Sequence, residues 1–324
     1  MRSGVTTDAA LLPSGVAERG AVPRDHTPSA ALDRITKRTP MLDGTAQRAA
    51  TGRGVTIYVF DGGIQMEHPE LRGRVRRGFD AFPGGPRVCN SHGTAVAGAA
   101  AGATLGVAPD AEVVDVKMIS CSRQRGTVQA IVAASDWAIQ DHQAHPDRPA
   151  VVNWSFIVDT VRSIPEIDSA VAKLRAAGML VVTSAGNFDV NACAVSPANA
   201  PGALVAGASS LKRDRGPGRW RDERTPSTAW GPCVDVYAPG DSVLLPGYDD
   251  FGVSITMVWS GTSMSAGYVS GAAAALLEQH PHATPATLAE LIKQRATVNV
   301  LADNTPVPTP LLSTRLLYIG PVSP

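Results

Sequence analysis

The sequence lacks any apolar run approaching the roughly 20 residues that a membrane-spanning helix needs. It also lacks an excess of either charge. Its 29 Lys and Arg balance 29 Asp and Glu, which excludes a general nucleic-acid binder driven by counterion release. Aromatic residues are scarce at 5%. The four cysteines, Cys89, Cys121, Cys193 and Cys233, include no Cys-x-x-Cys pair, which argues against a zinc ribbon or a thioredoxin motif. Four cysteines allow three disulfide pairings, arithmetic does not choose among them, and free thiols are the alternative. An export signal is missing as well. Residues 1–28 hold only the short run Ala9-Ala10-Leu11-Leu12 before Pro13, Gly15, Gly20 and Pro23 interrupt any helix. On this ground residues 1–30 are expected to be a flexible arm, and the chain either stays inside the cell or has a leader that lies outside this sequence.

What is present is a globular composition, 44% hydrophobic, with 31 Gly and 25 Pro in 324 residues. From residue 54 onward, short β-branched runs alternate with longer Ala-rich stretches. Strands are expected at 55–60, 112–118, 150–156 and 179–184, each a nearly continuous apolar run of the kind buried on both faces of a parallel sheet. Helices are expected at 127–142 and 263–279, after Ser163 with Glu166 as a capping box, and from Thr284-Pro285 to about Arg295. Residues 211–225 mix five arginines with Asp214, Asp222 and Glu223 around Gly-Pro-Gly, and are expected to form a solvated loop. The pattern predicts an α/β fold. It is doubly wound, with a mostly parallel twisted sheet and helices on both faces, in one domain over residues 31–320 with a short tail at 321–324.

Chemistry is carried at the ends of these elements. Asp61 closes the first strand, His92 stands in Ser91-His92-Gly93-Thr94, and Ser263 opens a helix in Ser260-Gly261-Thr262-Ser263-Met264. A serine hydroxyl is a weak nucleophile near neutral pH and needs a base. An imidazole supplies it and later protonates the leaving group. A carboxylate holds the imidazole's tautomer and stabilises its charged form. Asn187, in Ser184-Ala185-Gly186-Asn187, is a side-chain amide donor suited to a developing oxyanion.

With these four residues in the order Asp, His, Asn, Ser, the sequence resembles the subtilisin-like serine proteases, and among them the proteinase K and aqualysin branch. The resemblance runs over about residues 31–319. It includes Leu32-Asp33-Arg34-Ile35, Gly52-Arg53-Gly54-Val55, His68-Pro69-Glu70-Leu71, Gly106-Val107-Ala108-Pro109 and Arg315-Leu316-Leu317-Tyr318. It implies Ser263 as nucleophile, His92 as base and acid, Asp61 as its orienter, and Asn187 with the Ser263 N–H as oxyanion hole. It also implies a peptide or protein substrate lying as an added strand between Asn153-Trp154-Ser155-Phe156 and the loop after Met118, with Ser155, Phe156, Ile157, Val158, Ser184, Ala185 and Gly186 binding it and Arg123 and Arg125 near the non-primed subsites. Disulfides Cys89–Cys121 and Cys193–Cys233 follow from the resemblance. So does a structural calcium ion on the carbonyls of Pro201 and Ala203 and on Asp235, although no cofactor is expected for the chemistry. The family and its cysteine pattern imply secretion, against the intracellular reading of the N-terminus. Only about 30 residues precede the resembling region, from which unaided folding or a specialised maturation role is expected.

Departures from the family pattern bear on mechanism. Ala95 stands where a second histidine is usual, Gly62 follows Asp61, Ser91 precedes His92, and Met264-Ser265-Ala266-Gly267-Tyr268 replaces Met-Ala-x-Pro-His. Ile157 and Val158 replace two glycines at the edge of the S1 pocket. The sequence therefore predicts a serine endopeptidase with a narrowed S1 pocket and a restricted substrate, acting as a monomer without nucleic acid or membrane. A peptide cyclase or transacylase using the same acyl-enzyme, and a non-catalytic peptide-binding protein, are the alternatives.

Overall fold

The computed structural model describes residues 27–158, 160, 162–214, 220–302 and 315–321. The expected arm therefore lies outside the described residues as far as residue 26, as do the expected tail beyond 321 and the Gly-Pro-Gly at 216–218. In chain order the first elements are α1 (Ala30–Ile35), β1 (Thr56–Asp61), β2 (Val75–Asp80), α2 (His92–Ala101), β3 (Glu112–Lys117), β4 (Ile119–Ser120) and β5 (Arg125–Gly126). Next come α3 (Val128–Gln143), β6 (Ala150–Trp154), α4 (Pro165–Ala176), β7 (Leu180–Ser184), β8 (Leu204–Arg213) and β9 (Trp220–Arg224). The chain continues through β10 (Val236–Pro239), β11 (Val243–Tyr248), β12 (Ser254–Trp259), α5 (Thr262–Gln279), α6 (Pro285–Arg295) and β13 (Leu301–Ala302).

One sheet organises the molecule, in the order β13-β9-β8-β7-β6-β1-β3-β2 with β10 beside β8. Every pairing in it is parallel except β8 with β9. Along β1, Ile57 and Val59 face the core formed with α2 and α5, while Tyr58 and Phe60 face the core formed with α3 and α4. Burial on both faces is the reason these strands read as unbroken apolar runs. This is the doubly wound, mostly parallel α/β architecture expected from the sequence.

Helices α2 and α5 are buried almost all round, and small residues let their backbones meet. A Cβ on Gly267 would stand 2.8 Å from the Val96 carbonyl oxygen, and one on Gly271 would stand 2.4 Å from that of Ala100. Gly267 thus serves close packing where the family pattern has proline.

Three expectations change. The strand expected over 150–156 ends at Trp154, because the polar groups of Ser155 turn to the start of α5 instead of to a neighbouring strand. The capping box is not formed. Ile164 is the N-cap of α4 and makes no side-chain cap bond, so Ser163 lies one position too early and bonds Asp168 instead. The solvated loop at 211–225 is largely an antiparallel pair, β8 with β9. Its charges are drawn inward: Asp222 takes Nε and Nη2 of the distant Arg34, and Arg224 donates to the nearby Thr228 carbonyl at 2.6 Å and to the distant Asp189. Arg34 and Asp222 keep only 2% and 3% of their side-chain exposure, so removing one partner strands a buried charge. Asp222→Ala is expected to cost about 3–5 kcal/mol of stability, read by urea unfolding. The double change Arg34→Met/Asp222→Leu should cost less than the single one.

Candidate active site

The carboxyl ends of β1, β6 and β7 open on one crevice, the place where an open parallel sheet binds its ligands. Asp61 is the last residue of β1 and is 2% exposed. His92 is the first residue of α2 and Ser263 the second of α5. The helix start is brought onto the strand end by Gly93, where a Cβ would lie 3.0 Å from that of Asp61. His92 Nδ1 donates to Asp61 Oδ2 at 2.7 Å, and the Gly62 N–H donates to Oδ1 at 2.7 Å. Enclosure of the ring disfavours the imidazolium, but the charge of Asp61 and its hydrogen bond outweigh that, and the His92 pKa is raised above the usual 6.5. Trp259 stands edge-on to the same ring, with centroids 6.2 Å apart.

The departures around the triad have local reasons. Gly62 gives room to Cys89, whose Cβ would lie 3.3 Å from one on residue 62. Ser91 Oγ accepts from Tyr248 N–H at 3.0 Å and donates to its carbonyl at 3.3 Å, fastening the start of α2 to β11. Disulfides join Cys89 to Cys121 and Cys193 to Cys233, the pairing implied by the resemblance. The first ties the segment before His92 to the β4–β5 hairpin.

Ser263 is held from below by a buried polar chain. Its hydroxyl donates to the Ser155 carbonyl at 3.2 Å, and its own carbonyl accepts from Ser155 Oγ at 3.0 Å. Ser155 Oγ accepts from Asn153 Nδ2 at 2.8 Å, and Asn153 Oδ1 accepts from Ser270 Oγ at 2.9 Å. No hydrogen bond joins Ser263 to His92 among the described residues; a turn about χ1 of Ser263 frees the hydroxyl from Ser155. Asn187 is fixed differently. Its Oδ1 accepts both Thr262 N–H at 2.9 Å and Thr262 Oγ1–H at 3.0 Å, which leaves Nδ2 as the amide's free donor. Gly261, with φ +148°, allows the turn into α5 against that side chain.

Of the residues expected to line the substrate, Ser184 ends β7, and Ala185 and Gly186 follow it, with Gly186 at φ +108°. Across from them Ile157 turns into the cluster of Ala185, Val195 and Ala229, while Phe156 and Val158 turn to the opposite core. A Cβ on Gly186 would lie 2.9 Å from Ile157 Cδ1, so this side chain fills the space in front of the glycine. Beyond it lies a cavity of about 540 Å³ lined by Phe156, Val158, Phe188 and Arg125. Arg123 and Arg125 are exposed on the β4–β5 turn.

The donors expected for calcium have partners and cationic neighbours of their own. Asp235 Oδ2 accepts from Val205 N–H at 2.9 Å, and Oδ1 faces Lys293 Nζ at 3.8 Å. Between Pro201 and Ala203, a Cβ on Gly202 would lie 1.9 Å from Arg175 Nη1. A hard dication takes several oxygen ligands; here the half-buried Asp235 carboxylate has Lys293 nearby, and Arg175 lies beside Gly202. No group of three or more acidic, His or Cys side chains suited to a metal occurs among the described residues.

A match to the Subtilase family covers residues 52–311. The chain is 38% identical over 274 residues to the "Extracellular serine proteinase" of Thermus sp. (strain Rt41A), covering 84% of this chain and 62% of that protein. It is 34% identical to the "Alkaline serine exoprotease A" of Vibrio alginolyticus, covering 84% of this chain and 47% of that one. It thus spans less than two thirds of either relative. A crystal structure of a cold adapted subtilisin-like serine proteinase superposes with a TM-score of 0.76 at 33% identity, covering 90% of this chain and 97% of the other. The chain belongs to the subtilase family.

Sequence reasoning named Asn153 only as part of the substrate strand and did not find its role beneath Ser263, nor Ser270 and Trp259 as parts of the site. Ser270 sits in an expected helix and reads as an incidental polar residue. Trp259 is four residues before Ser263, and only its ring contact with His92 marks it.

A reaction that uses His92 as base needs the neutral ring. Its kcat/KM is therefore expected to fall as pH drops through a midpoint above 6.5. Asp61→Asn should move that midpoint down and lower kcat by on the order of 10⁴; a pH–rate profile on an ester substrate reads both. A midpoint unmoved by the substitution would contradict the assignment of Asp61 as the cause.

Proposed function

We propose that this chain is a serine endopeptidase working through an acyl-enzyme on Ser263. The observation that carries the reading is the convergence of Asp61, His92, Asn187 and the start of α5 on one crevice. Ser263 Oγ attacks the peptide carbonyl and His92 Nε2 takes its proton. Asp61 stabilises the imidazolium at Nδ1, and the Asn187 amide with the Ser263 N–H receives the oxyanion. The proton then passes from His92 to the departing amine, and water, activated by the same ring, releases the acid. The backbone beyond Trp154 has no sheet partner on this stretch and suits an added substrate strand.

The fit of Ile157 against Gly186 supports a narrowed S1 pocket and a preference for small P1 side chains. Exposed Arg123 and Arg125 favour an acidic residue further along the non-primed side, an effect that salt should weaken. Two disulfides, and the word extracellular in the name of the Thermus relative, support a secreted enzyme over the intracellular placement expected from the N-terminus. A monomer acting on peptides or proteins is the working unit.

The first test is intact mass after a small fluorophosphonate probe. One adduct is expected on the parent and none on Ser263→Ala or His92→Ala. No adduct on folded parent protein would instead favour a peptide-binding protein with an idle triad. Products lighter by one water than the hydrolysis products would indicate transfer of the acyl group to an amine. Ile157→Gly is expected to raise kcat/KM for peptides with Phe at P1 by roughly tenfold or more relative to Ala at P1. An unchanged ratio would remove Ile157 as the cause of selectivity.

A further inference from the structure

The lysine beside Asp235 has a counterpart at the other end of the chain. Lys37 Nζ lies among Asp33 Oδ1, Asp43 Oδ1 at 2.6 Å and the Thr45 carbonyl at 3.1 Å. The cage around it is built, not casual. Asp33 is 2% exposed, and its Oδ2 accepts the backbone N–H of Asp43 at 2.9 Å and of Gly44 at 2.7 Å. Asp43 Oδ1 also accepts Thr45 N–H at 2.9 Å and Thr45 Oγ1–H at 2.6 Å. Two carboxylates and a carbonyl, pre-oriented by backbone donors, form the hard-oxygen arrangement that a dication takes. Here the positive centre is an ammonium tethered to the chain one turn after Asp33.

The two positions share a logic. Each has a carboxylate anchored by backbone N–H, at Asp43 and Gly44 for Asp33 and at Val205 for Asp235. Each turns its other oxygen toward a lysine, Lys37 or Lys293, although Lys293 lies 3.8 Å from Asp235 and pairs more closely with Glu290 at 2.5 Å. Desolvation raises the Asp235 pKa, and the charges of Lys293 and Arg315 offset it only in part.

We propose that this protein carries its structural cations as side chains: Lys37 in the cage of Asp33, Asp43 and Thr45 and, less closely held, Lys293 beside Asp235 and Arg175 beside Gly202, so that its fold holds without calcium. A tethered cation cannot be chelated or diluted away, whereas a bound ion stabilises only in proportion to its free concentration. The Lys37 cage joins α1 to the 43–45 turn, and Arg34 joins the same helix to β9. The N-terminal part of the described fold is therefore held by internal charge pairs.

The test uses the full chain as Ser263→Ala, which prevents self-digestion and makes the result independent of the proposed activity. Thermal unfolding in millimolar calcium and in chelator should coincide, and calorimetric titration with calcium should show no saturable heat. Lys37→Ala should lower Tm by about 3 °C or more, and calcium should restore most of that loss by entering the vacated cage. Lys37→Ala/Asp43→Asn should lose the calcium response. A parent protein that binds calcium saturably, or melts earlier in chelator, overturns the proposal. So does a Lys37→Ala protein as stable as the parent, or one whose loss calcium cannot reverse, which would reduce Lys37 to an ordinary salt bridge. If Lys37→Ala does not fold, Lys37→Gln takes its place, and the parent comparison decides by itself.

Discussion

The close approach of α2 and α5 is the constraint on which the site depends. His92 and Ser263 stand at the starts of these two helices, so the distance between base and nucleophile is set by how nearly the helix backbones meet. Gly267 and Gly271, facing Val96 and Ala100, remove the side chains that would hold them apart. The run of alanines on both helices fills the remaining space with little conformational entropy to lose. This explains helices that are apolar on nearly every side: each is enclosed by the sheet and by the other helix, α2 further by the β11–β12 ribbon and α5 by α6.

Beneath that contact, polar groups decide orientation. Packing places Ser263 near the ends of β6 and β7, but the turn of the helix start is held by hydrogen bonds from Ser155 and, through Thr262, by Asn187. The same bond that steadies the helix also directs the Asn187 amide, because an Oδ1 occupied by Thr262 leaves Nδ2 to face the crevice. Ser270, two turns below Ser263, reaches it only through Asn153 and Ser155. In a buried chain of this kind an unmade bond costs more than a made one contributes, so its members act together. Charges follow the same rule elsewhere, where Arg34, Asp222, Asp33 and Lys37 are buried or half-buried only because each has a partner.

Much of this was legible in the sequence. The strands could be read because β1, β3, β6 and β7 are buried on both faces and so consist of apolar residues without interruption. The four candidate residues could be read because each stands at, or a few residues beyond, the end of an element and close to a glycine. Where reading failed, a distant partner had overruled a local preference. Residues 211–225 have the charge and glycine content of a solvated loop, yet Arg34, 188 positions from Asp222, makes a buried strand of part of it. Ser163 and Glu166 have the spacing of a capping box, but the helix starts one residue later than that spacing requires.

By itself, then, the sequence determined the layered α/β class and the identity and order of Asp61, His92, Asn187 and Ser263. Periodicity and punctuation are local properties, and they survive in a linear string. Only the tertiary structure decided that Ile157 occupies the space before Gly186, that Ser155 holds Ser263, and that lysines stand at both candidate cation positions. Each of those outcomes depends on which atoms meet across separate elements, and a choice of neighbours is made by packing in three dimensions.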